Sequence, residues 1–173
     1  MDRRQGRQIV VQNASSDEIR SSDPGKVLLD DVSLGIIREL QIDGRRPYTT
    51  IAKTVGLSEA AVRQRVQRLL DAGVMQIVAV TDPLRVGLHR QAMIGIRVDG
   101  DVRELAAKLA ASNEIEYVVI CSGAYDLLVE LTARDDEHLL DVINGQIRSI
   151  PGVRSTDTFV YLRLEKQTYT WGT

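Results

Sequence analysis

The chain has 173 residues, 43% of them apolar but only 4% aromatic, so it can form one ordinary domain or two small ones with aliphatic cores. Its net charge is −2, and its single cysteine, Cys121, excludes a disulfide framework and cannot build a metal cluster alone. No apolar run approaches the roughly 18 residues that span a bilayer and no signal peptide opens the chain, so a soluble protein of a reducing, cytoplasmic compartment is expected, without a membrane partner.

Residues 1–26 are polar and without period, and read as a flexible N-terminal arm with a short apolar patch at Ile9-Val10-Val11. Residues 27–75 read as a three-helix domain. Ser33 is a suitable N-cap for a first helix whose apolar face carries Ile36, Ile37 and Leu40. Asp43-Gly44 ends it, with the glycine free to take positive φ. Thr49 or Thr50 caps a short second helix carrying Ile51, Ala52 and Val55, which Gly56 stops. Ser58, followed by acidic Glu59, opens a longer third helix that runs to Leu70 and ends at Gly73. A tight Val55-Gly56-Leu57-Ser58 connection between the last two helices is the spacing of a helix-turn-helix.

Residues 76–90 read as a linker strand (76–82, stopped by Pro83) and a hinge at Gly87-Leu88. Residues 91–167 then alternate: strand Ala92–Val98, helix Val102–Ala111, strand Ile115–Cys121, a turn at Gly123–Asp126, strand Leu127–Thr132, helix Glu137–Ile150, strand Val153–Leu164. The β-α-β-β-α-β order predicts a four-stranded antiparallel sheet with both helices on one face, a ferredoxin-like α+β domain. The other face, with Phe159 and Tyr161, needs cover, so subunit association is expected. Residues 168–173 are a C-terminal tail.

Charge is unevenly distributed. Between Arg45 and Arg68 there are six basic residues and one acid, Glu59, whereas residues 91–173 hold eight bases and thirteen acids. A local basic patch on an acidic chain points to a polyanion partner for one module only. In helical projection Val62, Val66 and Leu69 share one face of the third helix, with Leu70 at its edge. Ala60, Arg63, Gln64 and Gln67 lie largely on the other, and Arg65 nearer the packed side. Arginine and glutamine pair bidentately with guanine and adenine in the major groove, which is where a recognition helix sits. Thr49 and Thr50 are placed to donate to phosphate, and Arg45, Arg46 and Lys53 to add contacts to the DNA backbone. Ser58 at the helix start and Arg68 near its end complete the candidate DNA-binding set. A solvated amphipathic surface is the competing reading of the same pattern.

Five segments then carry a resemblance: LDDVSLGIIRELQIDGR (29–45), IAKTVGLSEAAVRQRVQRLLDAGVM (51–75), DPLRVG (82–87), CSGAYDLLVEL (121–131) and IPGVRSTDTFVYL (150–162). Together, and in this order, they resemble the Lrp/AsnC (feast/famine) transcriptional regulators over about residues 27–167. The resemblance implies a winged-type helix-turn-helix, a linker strand and a C-terminal αβ domain that senses a small effector. It implies binding to double-stranded operator or promoter DNA, with no cofactor, and an amino-acid effector held between αβ domains of neighbouring subunits. It also implies a homodimer assembling to an octamer, in the cytoplasm on the nucleoid. By the same resemblance, Gly123, Ala124, Tyr125 and Asp126 form the effector turn, and Phe159 and Val160 fall at effector-responsive positions. Turn amides are suited to a carboxylate and Asp126 to an ammonium group, with a turn-capping role the alternative for Asp126. Ala124 stands where many members carry an acid, and Ser33 where the family usually has Asp.

Two other readings share the architecture. An architectural DNA-compacting protein would bind DNA without sequence preference. An enzyme similar to the sirohaem decarboxylases would need acid–base side chains in the αβ half. The chain has only His89 and His138, which lack metal-ligand spacing, and it carries no nucleophile motif or phosphate-binding glycine loop.

Overall fold

The computed structural model describes residues 29–169. The N-terminal arm and its Ile9-Val10-Val11 patch lie outside these residues. The chain divides into two compact units, the second spanning Val80–Gln167.

The first unit is three helices: α1 (Asp31–Ile42), α2 (Tyr48–Val55) and α3 (Glu59–Asp71). Each buries a short aliphatic stripe at three- and four-residue spacing, and Ile36, Leu40, Ile51, Ala52, Val62 and Val66 form the shared core. The cap of α1 is Asp30, not Ser33: the Asp30 carboxylate accepts the Ser33 backbone N–H at 2.8 Å, and Ser33 itself is buried in the first turn. Gly44 does not take positive φ, because Asp43 is extended and closes the helix with its own N–H on Glu39 O. Nor do Thr49 and Thr50 cap α2. Pro47 occupies that place, its φ of −59° already suited to a helix start, which puts both threonines inside the first turn. Gly56 is left-handed at φ 70°, turning the chain within one residue, and Ser58 caps α3 by accepting the Ala61 N–H at 3.2 Å.

Residues 76–82 are not a strand. Among the described residues they have no strand partner, and Ile77, Val78 and Val80 are exposed. Alternating apolar residues alone do not make a strand, which also needs a partner for its backbone hydrogen bonds. No hairpin wing follows α3 among the described residues. A 3-10 turn, Pro83–Val86, lies near the start of the second unit.

That unit holds β1 (Arg90–Val98), α4 (Val102–Ala110), β2 (Ile115–Ile120), β3 (Leu127–Ala133), α5 (Asp136–Val142) and β4 (Val153–Val160). The sheet is antiparallel in the order β2-β3-β1-β4. Ala92, Ile94 and Ile96 of β1 and Leu127, Val129 and Leu131 of β3 face Leu105 and Leu109 of α4 and Leu139 and Val142 of α5. Both helices thus cover one face of the sheet, and the alternate residues, among them Met93, Leu128, Glu130 and half-exposed Phe159, line the open one. The second helix does not run unbroken to Ile150: from Ile143 to Arg148 it widens into a π-turn. β4 ends at Val160, so Leu162 and Leu164 lie beyond the sheet and are exposed.

Candidate nucleic-acid interface and effector turn

Burial along α3 follows the helical period. Val62, Val66 and Leu69 are buried, and Ala60, Arg63, Gln64, Gln67 and Arg68 are exposed. The exposed set shares one unit with Thr49, Thr50 and Lys53 on α2, Arg45 in the preceding turn, and Ser58 at the α3 cap, all of them exposed. Among the described residues, Arg45, Lys53, Gln64 and Arg68 have no side-chain hydrogen-bond or ion-pair partner, so their donors face solvent uncommitted.

Three other arginines are committed. Arg46 is half-buried and paired with Glu39 of α1, which ties the turn before α2 to the first helix. Arg65 lies on the packed side and bonds Asp30 and the Ser33 hydroxyl. The two bonds from Ser33 and the Arg65 guanidinium hold the Asp30 carboxyl down to about 2. Arg63 is exposed but anchored: its Nη2 donates to Glu59 Oε1 at 2.8 Å, and its guanidinium carbon lies 5.2 Å from the centre of the Tyr48 ring. Gln67 donates to Asp71 one turn further on, at 2.7 Å. In Arg46, Arg63 and Gln67 one side-chain nitrogen is thus held by a carboxylate.

In the second unit, the β2–β3 turn puts Gly123 and Ala124 at the surface. Asp126 is held by the fold. Its N–H donates to Ile96 O at 2.9 Å, and its Oδ2 accepts the Val98 N–H at 2.8 Å, closing the end of β1. Tyr125 lies over Gly95 on the open sheet face, where a Cβ on residue 95 would stand 2.6 Å from the ring. A glycine there permits the close approach that any other residue would block. The Arg97 guanidinium covers the same ring at 4.7 Å, Phe159 meets it edge-on at 6.1 Å, and Asp157 holds Arg97 at 2.9 Å. Phe159 belongs to this cluster. Val160 does not, since it pairs with Ala92 and alternation places it toward the helix-covered face. At the other end of β1, burial and the neighbouring Glu130 carboxylate push the Tyr161 hydroxyl up to about 12.

His138 is part of the scaffold. Its Nδ1 accepts the Arg134 N–H at 3.2 Å and its Nε2 faces Glu114 at 3.3 Å, joining the start of α5 to the approach to β2. Among the described residues no cluster of three His, Cys, Asp or Glu is spaced to hold a metal ion. No helix among them is long and apolar enough to cross a membrane.

Residues 29–70 match the AsnC-type helix-turn-helix domain, and residues 88–173 match an AsnC-type C-terminal dimeric alpha+beta barrel domain. The chain is 35% identical over 145 residues to the HTH-type transcriptional regulator FL11 of Pyrococcus horikoshii, covering 83% of this chain and 95% of that one. Its structure is similar to E. coli AsnC, with a TM-score of 0.74 at 24% identity, covering 83% of this chain and 99% of that chain. It is also similar to a transcriptional regulator of Neisseria meningitidis solved as its complex with L-Met, with a TM-score of 0.72 at 27% identity, covering 81% and 94%. A helical DNA-binding unit joined to an open-faced αβ unit defines a class of two-domain transcription factors. This chain belongs to the AsnC (Lrp/AsnC) family: it is a DNA-binding transcriptional regulator, not an enzyme.

Reading the sequence alone missed Asp30, Tyr48, Gly95 and Arg97. Gly95 had a signal, a lone glycine inside an apolar strand, which marks a close approach. Asp30 had one too, an N-cap residue type just before the first periodic stretch. Tyr48 and Arg97 act through partners brought in from another element, and no local pattern announces them.

Proposed function

We propose that this regulator binds operator DNA sequence-specifically. In this reading α3 lies in the major groove, with Arg63, Gln64, Gln67 and Arg68 facing base edges beside Ala60. Thr49, Thr50, Ser58, Arg45, Arg46 and Lys53 contact the phosphates. The observation that carries it is the exposed face of α3, where Gln64 and Arg68 stand without partners among the described residues, in a unit whose Lys53 and Arg45 are equally uncommitted.

In the same reading the protein is a homodimer joined through the open sheet face of the second unit, and the dimers assemble to an octamer in the cytoplasm, on the nucleoid. A small effector, an amino acid, is held between subunits at Gly123, Ala124, Tyr125 and Asp126, with Phe159 responding. The L-Met complex of the Neisseria regulator supports the choice of ligand class. Asp126 Oδ2 already accepts the Val98 N–H, and Oδ1 is the oxygen with no backbone bond among the described residues to share with an ammonium group. Effector binding then alters DNA affinity by linkage, through its different affinity for the assembly states.

The test is a panel of amino acids titrated against the full-length protein, read by sedimentation and by DNA affinity together. A change in both with the same amino acid supports the reading. No change in either across the panel removes the sensing half of it.

A further inference from the structure

We infer that Tyr48 and Glu59 are positioning residues for sequence readout: they hold the Arg63 guanidinium in place before DNA arrives. This rests on the base-reading role proposed for Arg63.

Tyr48 opens α2 directly after Pro47, whose ring fixes the chain direction there. Half-buried, it packs against the core of the first unit. Its ring therefore has little freedom, and it presents a π-face toward α3. The Arg63 guanidinium carbon stands 5.2 Å from the ring centre, within cation–π range. Glu59, one turn earlier on α3, takes the Nη2 donor at 2.8 Å. The guanidinium lies over the Tyr48 ring and one donor is fixed, and its other donors have no partner among the described residues.

Each contact alone is weak. An exposed (i, i+4) ion pair contributes little because both side chains are mobile and solvated. Together they restrict the plane of the fork and its rotation within that plane, the two motions a bidentate contact to a base must suppress. Arginine suits this arrangement and lysine does not, since only a planar guanidinium stacks and offers parallel donors at once. Gln64, beside it on the helix, has no such support among the described residues. The structure therefore separates a preset reader from an adaptable one. Ordering the arginine before binding removes an entropic cost from recognition, which favours the base that fits the preset geometry.

The experiment is selection of binding sites from a randomised DNA library by the full-length wild type, R63A, Y48L, Y48F, E59A and the Y48L/R63A pair, followed by titration on the selected site and its single-base variants. Melting curves establish that each variant is folded. The expected result is that R63A erases the preference at one base pair per half-site. Y48L weakens discrimination at that same pair about three- to fivefold, and E59A weakens it less. Y48F keeps the ring and behaves as wild type, and Y48L has no further effect once Arg63 is alanine. A Y48L variant that loses affinity equally for all sequences, or retains full discrimination, overturns the positioning role while leaving Arg63 as a reader. An R63A profile identical to wild type overturns the base-reading assignment, and the positioning role with it. If Y48L does not fold, Y48M and E59A carry the same comparison.

Discussion

Arg65 Nη1 donates to both oxygens of Asp30, 35 residues earlier, at 2.9 and 2.7 Å, and to the Ser33 hydroxyl at 3.1 Å. An arginine in the middle of α3 is thereby committed to the cap of α1. Asp30 serves twice, as N-cap and as the anchor for α3. The placement of α3 against α1 thus has a polar component as well as the aliphatic core.

This relationship sets a pH dependence. The folded Asp30 titrates at about 2, against an ordinary 3.8. Its carboxylate is favoured in the folded state, so its contribution is fully present above 3.8 and is lost as pH falls through about 2. Urea unfolding of wild type and D30N between pH 2 and 6 is expected to show a stability difference that is constant from pH 5 upward and shrinks on acidification. A difference independent of pH over that range would contradict the assignment.

R65A and R63A are expected to separate. R65A lowers the melting temperature of the helical unit, and whatever it does to DNA affinity follows from that loss. R63A leaves melting nearly unchanged, since it removes only an exposed pair and a ring contact, and alters DNA binding directly. Calorimetry alongside fluorescence anisotropy on one DNA fragment distinguishes them.

Asp126 gives a third comparison. D126A removes the acceptor for the Val98 N–H at the end of β1, and the loss is expected to cost about 1–3 kcal/mol by chemical denaturation. D126N retains an oxygen that can accept the same bond, so it is expected to be far closer to wild type in stability. If Asp126 also pairs an effector ammonium, D126N folds normally yet loses effector affinity. If its role is only to close the strand, D126N binds as wild type does.

Gly95 should tolerate nothing larger while Tyr125 is present. G95A places a methyl 2.6 Å from the ring and forces it off the strand. A cost of about 1–3 kcal/mol is expected, as for overpacking elsewhere, and it should be relieved in G95A/Y125A. Thermal melts of the two variants check this. Equal destabilisation in both would mean that the ring is not what the glycine accommodates.

The elements were legible where one local pattern decides them. The three helices, the Gly56 turn, the Ser58 cap and the βαββαβ order all follow from periodicity and punctuation within a few residues. The outward face of α3 was legible for the same reason. The rest depended on partners distant in sequence. Ser33 read as a cap because serine favours that position, but Asp30 sits three residues earlier and competes better for the first-turn amides. Residues 76–82 read as a strand because Ile77, Val78 and Val80 favour one, yet a strand exists only when paired. The π-turn after Val142 leaves no mark in the 3–4 spacing of Ile143 and Ile147, both of which remain buried. Phe159 and Val160 were named together through the family resemblance, yet as strand neighbours they lie on opposite faces.

The central claim is that α3 reads sequence. The most direct measurement is selection of bound fragments from sheared genomic DNA, then titration of the best fragment and a shuffled fragment of equal length at two salt concentrations. The expected result is a recovered palindromic site, bound at least about a thousandfold more tightly than the shuffled fragment, with the ratio surviving the higher salt. Equal affinity for both fragments, falling equally steeply with salt, would contradict the claim. It would instead assign the basic face to architectural binding along the phosphate backbone.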